Sequence, residues 1–167
     1  MKRFDAELEI VRTIYNQAWE KNWGFVPMTR AELDHLAHEL RPVVVPEMVQ
    51  FVEVGGEPVG FAFSLPDYNL ILRYFRGRIG LKQLLLFWLI RPQINRMRML
   101  TMGVVESYRN RGIETLLVTE TVKKCRAVGI HSAELGWVLE DNDRMNKVLK
   151  AIGSRHYRTH RIYEKAL

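Results

Sequence analysis

One cysteine, Cys125, stands in the whole chain of 167 residues, so no disulfide can form within it. A reducing compartment, the cytoplasm, is therefore expected, and the fold must rest on a packed core. Long apolar runs are also missing. The longest, Leu84–Ile90, has seven residues, against about 20 for a helix that crosses a bilayer. The first ten residues, MKRFDAELEI, alternate charge with apolar groups and hold no apolar stretch of the secretory kind. No low-complexity tract and no internal repeat appear. A third shortage is local. Between Tyr68 and Val105 there is no Asp or Glu, while Arg73, Arg76, Arg78, Lys82, Arg91, Arg96 and Arg98 all lie there. That segment carries +7 and the rest of the chain −1, which makes the net charge of +6. Such a stretch can serve a phosphate-rich ligand, an anionic membrane surface or nucleic acid, or it can be a solvated face.

What is present is ample for a core. The chain is 47% hydrophobic and 26% charged, which suits a single domain over residues 1–167. Phe4, Leu8, Val11, Tyr15, Ala18 and Trp19 recur at helical spacing and predict an amphipathic first helix. Trp23–Pro27 reads as an aromatic-rich turn. Thr29 and Glu32 have capping-box spacing, with Leu33, Leu36, Ala37 and Leu40 following on one face. Met48–Val54 and Pro58–Leu65 flank Gly55-Gly56, a hairpin signature. Asn69–Arg91 predicts one or two short helices, broken near Gly77 and Gly80. Strands are expected over Arg98–Val105, His131–Leu139 and Arg155–Lys165, and helices over Gly112–Val128 and Asp143–Ile152. That order is a mixed α/β domain, with a right-handed crossover joining parallel strands through the helix from Gly112.

Some residues have two readings. Leu81–Ile90 is either an ordinary buried helix or one whose apolar surface is too broad for one domain. In the second case it packs on another subunit or lines an acyl or acceptor cavity. Trp19, Trp23, Trp88 and Trp137 read as core or pocket lining. Cys125 lies in mid-helix and reads as a small buried hydrophobe. The histidines are scattered, and no metal site is expected.

The stretch from Val104 to Glu114 carries the chemistry. A strand ends, a short turn holds Arg109, Asn110, Arg111 and Gly112, and a helix opens. The first amides of a helix have no partner within it, and its dipole is positive there, so a pyrophosphate fits. Gly112 lets backbone approach such a ligand, and Arg109 and Arg111 add charge. A plain strand–helix turn would use the same residues. The segment resembles the phosphate loop of the GNAT acyltransferase family, Q/R-x-x-G-x-G/A after a strand ending in Val. Val104 stands at that valine, Arg109 at the first position and Gly112 at the fourth, while Glu114 departs from Gly or Ala at the sixth. The family pattern N-x-x-A-x-x-L-Y-x-x-x-G-F has counterparts in Asn142, Met145, Val148 and Gly153. Leu149 replaces its Tyr and Ser154 its Phe. The segments YNQAWEKNWGFVPMT, LPDYN and LGWVLEDND resemble, more narrowly, a bacterial group of tandem GNAT-like proteins in which this unit is the C-terminal half.

The resemblance implies a GNAT-like fold, a central mixed twisted sheet with splayed parallel strands and flanking helices. It implies acetyl-CoA or another acyl-CoA as cosubstrate, held by Met102, Val104, Arg109, Asn110, Arg111, Gly112, Ile113, Glu114 and Asn142. The pantetheine arm would enter between Leu100–Val104 and Ser132–Val138. An unknown amine, on a small molecule or peptide, would attack the thioester directly, with an amide near Val104 facing the oxyanion. Glu134 and Glu140 are candidate bases. The usual acid is the Tyr replaced by Leu149; Tyr157 or Tyr163 could substitute, or each simply packs with its hydroxyl hydrogen-bonded. Asn142 either meets the pantetheine or caps the next helix. Glu114, taken as partly exposed and screened by water, would repel the pyrophosphate modestly, unless its side chain turns outward or Arg109 or Arg111 neutralises it. Family members begin with a strand, whereas helical spacing here starts by Phe4. An upstream GNAT-like half or a second copy in a homodimer would then cover the sheet edge. No nucleic acid is expected as partner. The alternative is a catalytically degenerate domain that still binds acyl-CoA.

Overall fold

The computed structural model describes residues 2–22, 24–161, 163 and 165, with residues 2–5 in backbone only. It falls into two units, Met1–Gly136 and Trp137–Leu167, each treated by itself. The first opens with α1 (Lys2–Trp19) and α2 (Arg30–Leu40). The predicted capping box forms at α2. Thr29 Oγ1 accepts from Glu32 N at 3.3 Å, and Glu32 Oε2 accepts from Thr29 N at 2.9 Å. Such a cap stabilises a helix by about 1 kcal/mol. Asn16 ties α1 to the chain before α2, accepting from Met28 N at 2.8 Å and donating to Met28 O at 3.1 Å.

The sheet has four strands in the order β1 (Val49–Val54), β2 (Glu57–Pro66), β3 (Arg96–Val104), β4 (Ser132–Leu135). The β1–β2 turn places Gly55 and Gly56 at φ +64° and +86°, conformations that exclude a β-carbon at little cost only for glycine. β2 and β3 are antiparallel; β3 and β4 are parallel, with α5 (Ile113–Ala127) between them in sequence. In β3 one residue, Leu100, has no partner, since Phe63 pairs with Thr101 and Ser64 with Met99. This bulge shifts the alternation of side chains. Met99 before it and Val104 after it both join Val59, Ala62, Ile113 and Leu117 in the core under α5. Gly103 turns the other way, to Trp19 of α1. Trp19 stacks on Tyr15 with ring centroids 4.7 Å apart. Cys125 is 1% exposed, with its sulfur 3.2 Å from Met97 Sδ, and burial pushes the thiol pKa up.

Between β2 and β3 come α3 (Asn69–Leu72) and α4 (Leu81–Ile90). No residue of α4 is buried, which overturns the reading as an ordinary buried helix. Trp88 and Trp137, 61% and 85% exposed, are likewise not core residues. Trp23 and the side chain of Phe4 lie outside the described residues. No helix among the described residues is long and apolar enough to cross a membrane.

β4 is shorter than expected, ending at Leu135 instead of Leu139. The second unit holds α6 (Asp143–Ala151). The described residues of 155–165 form no strand. Their alternation explains why. Arg155, Tyr157, Thr159 and Arg161 on one side and His156, Arg158 and His160 on the other leave no apolar face to bury, and all are exposed.

Candidate functional site

The parallel pair opens partway along β3. Arg96–Met99 pair with Ser132–Leu135, and the last rung is Gly136 N donating to Met99 O at 3.1 Å. A β-carbon on residue 136 would stand 2.7 Å from that oxygen, so this rung depends on glycine. β3 then runs on to Val104 paired with β2 alone. Among the described residues, the half of β3 holding Met102 and Val104 therefore keeps one backbone edge without a strand. Thr101 Oγ1, in the same half, is out of water and has no hydrogen-bond partner among the described residues.

Past Val104 the chain makes one tight helical turn, Glu106–Tyr108, and then α5 opens. Asn110 and Gly112 take φ +62° and +81°. Alternating left-handed residues turn successive amides toward one concave side. No side chain caps α5, and the first amides of a helix point toward an anion, while the intrahelical bonds begin with Leu116 N donating to Gly112 O. The side chains around the loop do different things. Arg109 donates from Nε to Val104 O at 2.9 Å and from Nη2 to Ala18 O at 2.7 Å. It ties the loop to the ends of β3 and α1, a role its charge alone did not reveal. Arg111 is exposed, its guanidinium 5.1 Å from the Tyr108 ring centroid. Glu114 is 7% exposed, on the inward stripe with Leu117, Thr121 and Cys125. The expectation of a partly exposed, water-screened carboxylate is thereby corrected. Helix phase turns this residue toward the sheet.

Glu134 lies opposite Arg98 in the parallel register. Its carboxylate is 3.7 Å from Arg96 Nη2 and 3.7 Å from Arg98 Nη1. Arg96 Nε also donates to Asp67 Oδ2 at 2.6 Å, and Asp67 is 1% exposed. Asp67 Oδ1 accepts from Asn69 N at 3.2 Å and Asn69 Nδ2 at 3.0 Å. This network of two carboxylates and two guanidinium groups lies along the paired stretch of β3 and β4, before the strands part. Nothing in the residues around Asp67 marks it as a member of this network. The period-two spacing of Arg96 with Arg98, and of Ser132 with Glu134, was visible. Only the strand register brings the pairs together.

In the second unit, Asn142 caps α6, its Oδ1 accepting from Met145 N at 3.1 Å. Glu140 pairs with Arg161, Oε2 to Nη1 at 2.5 Å. Tyr157 and Tyr163 are 58% and 88% exposed, and the Arg158 guanidinium is 5.6 Å from the Tyr157 ring centroid.

Known proteins resemble this chain in sequence and in fold. Residues 8–153 match the Acetyltransferase (GNAT) family. The curated "Bacterial ceramide synthase" of Caulobacter vibrioides is 33% identical over 100% of this chain and 45% of its own length. "Protein YghO" of Escherichia coli is 32% identical over 99% of this chain and 44% of its own. The chain thus spans less than half the length of these relatives. Among solved structures, AAC(6')-Iy in complex with a bisubstrate analog aligns over 97% of this chain and 93% of its own, with TM-score 0.62 and 16% identity. A ribosomal-protein-alanine N-acetyltransferase from Brucella melitensis covers 89% and 79%, with TM-score 0.60 and 17% identity. At such identities the likeness is one of fold. With the family matched over most of its length and the opened strand pair beside an uncapped helix start, the chain belongs to the Acetyltransferase (GNAT) family.

Proposed function

We propose that this chain is an acyl-CoA-dependent N-acyltransferase that transfers an acyl group to an amine by direct attack. The observation that carries this is the free edge of β3 leading straight into the uncapped start of α5. Backbone amides from Asn110 to Glu114 take the pyrophosphate, with Arg111 at the rim and Gly112 leaving room for close approach. The pantetheine arm runs along the free edge of β3 past Met102, and an amide near Val104 meets the developing oxyanion. Arg109 holds the loop in place. Glu134 is the base we assign. Its carboxylate lies beside the guanidinium groups of Arg96 and Arg98, and it takes the proton of the amine once the acceptor has displaced them. Tyr157 and Asn142 keep the roles that the resemblance implies, a proton source for the leaving thiolate and a contact to the donor.

The acceptor we propose is an amine on a long alkyl chain. The Caulobacter relative, named as a ceramide synthase, supports this with 33% identity across the whole of this chain. A ceramide is the amide of a long-chain amino alcohol. We further read residues 1–167 as one GNAT-like domain, with an upstream half or a second copy at the β1 edge. Leu149, in place of the family tyrosine, favours a second reading, a domain that binds acyl-CoA without turnover.

A thiol-release assay with acetyl-CoA and long-chain acyl-CoAs, over short and long-chain amines, tests both. Thiol release with a long-chain amino alcohol should exceed hydrolysis by an order of magnitude or more. Glu134→Gln should lower kcat and alter the pH profile. Binding of acyl-CoA with no amine-dependent release would establish the degenerate reading instead.

A further inference from the structure

Leu81, Leu84, Leu85, Trp88 and Leu89 follow i, i+3, i+4, i+7, i+8 spacing, the stripe that a surface helix normally turns to its core. In α4 this stripe turns outward. The five residues are 76%, 53%, 59%, 61% and 69% exposed, and Ile79 just before them is 92% exposed. The opposite side of the helix holds it to the unit. The Phe87 ring stacks on Tyr68 with centroids 5.5 Å apart, and the Tyr68 hydroxyl donates to Val43 O at 2.9 Å. Cations surround the stripe. Arg73, Arg76, Arg78 and Lys82 are exposed. Arg91 places its guanidinium 5.8 Å from the Trp88 ring centroid and 5.9 Å from that of Phe87. Beside α4 lies an open depression of about 390 Å³, lined by Tyr74, Phe75, Arg76, Arg78 and Gln83. No acidic residue occurs from Tyr68 to Val105 to offset this charge.

We propose that α4 and the turn before it are a docking surface for an anionic phospholipid bilayer. The helix lies in the plane of the membrane. At ten residues it is about 15 Å long, half of the hydrocarbon thickness, so it cannot span. The leucines enter the acyl boundary, Trp88 sits at the headgroup level, and Arg76, Arg78 and Lys82 meet lipid phosphates. Charge selects this occupant. A second copy packed stripe to stripe would bring two sets of cations together with no acid from the segment to answer them. Nucleic acid would satisfy the arginines but leave the leucines in water. A bilayer rich in phosphate satisfies both. The proposal requires no acyl-CoA and no turnover, so it stands or falls separately from the catalytic reading.

Vesicle flotation with the 167-residue chain tests it. Vesicles of phosphatidylcholine and phosphatidylglycerol in equal parts should retain the protein, with affinity falling as salt rises. Pure phosphatidylcholine should retain it at least ten-fold less. The double substitution Leu85→Gln with Leu89→Gln should weaken binding to the mixed vesicles on the order of ten-fold. Arg76→Glu with Arg78→Glu should remove most of the preference for anionic lipid, since each basic side chain near the surface contributes roughly five-fold. All four positions are exposed, so the melting temperatures should stay those of the parent, which controls for folding. No retention on anionic vesicles would overturn the proposal, as would retention that the leucine substitutions leave unchanged. A dimer in solution that dissociates on those substitutions, without vesicle binding, would assign the stripe to a second copy and overturn it too.

Discussion

At Arg109 a guanidinium reaches two backbone carbonyls from different elements, Val104 O and Ala18 O. The planar fork suits this and an ammonium does not, because one point donor cannot span both acceptors. Arg109→Lys should therefore destabilise the protein by about 2 kcal/mol, within the range for hydrogen bonds from charged groups. Urea unfolding should show a lower midpoint at unchanged slope. Coenzyme A affinity should fall as well, since the phosphate loop loses its tie to β3. Equal stability would show that Arg109 only lies along the surface. The sequence placed Arg109 at the right point of the motif, but motif position says nothing of where a long side chain ends. Glu114 was misjudged for a different reason. Charge argued for water, but Glu114 shares its helix face with Leu117, Thr121 and Cys125, which is the inward one. In the structure helix phase prevails over residue type.

Among the elements, the helices and the hairpin were legible because each repeats a pattern with a physical cause. The α2 cap followed from Thr29 and Glu32, and the β1–β2 turn from paired glycines. Two features were not legible. The bulge at Leu100 has no signature in the residues of β3, yet it decides which of them face α5. The expected strand at 155–165 alternated, but both faces were polar, and alternation without an apolar face does not buy pairing. The rung at Gly136 is the element-scale feature most open to test. An alanine β-carbon 2.7 Å from Met99 O must lengthen that hydrogen bond or move the strand. Gly136→Ala should cost about 1–2 kcal/mol, speed amide exchange at residue 136, and weaken acyl-CoA binding several-fold. Unchanged exchange and affinity would mean that the strands part without help from this glycine.

For the whole molecule, the phosphate loop was readable because strand, turn, glycine and helix start are contiguous in the chain. The acid–base network was not, since Asp67, Arg96 and Glu134 meet only through sheet order and register. The same contrast holds for charge. The excess of cations between Tyr68 and Val105 was visible as composition. The outward stripe of α4 was not, because apolar spacing cannot say which way a helix is turned. The central claim is that the loop from Asn110 to Glu114 binds the pyrophosphate of coenzyme A, and thermal unfolding with and without coenzyme A tests it most directly. Ligand at a hundred times its dissociation constant should add about 2.7 kcal/mol and raise the melting temperature, and Gly112→Val should remove most of that rise. A folded protein whose melting temperature does not move at millimolar coenzyme A or acetyl-CoA would contradict the account.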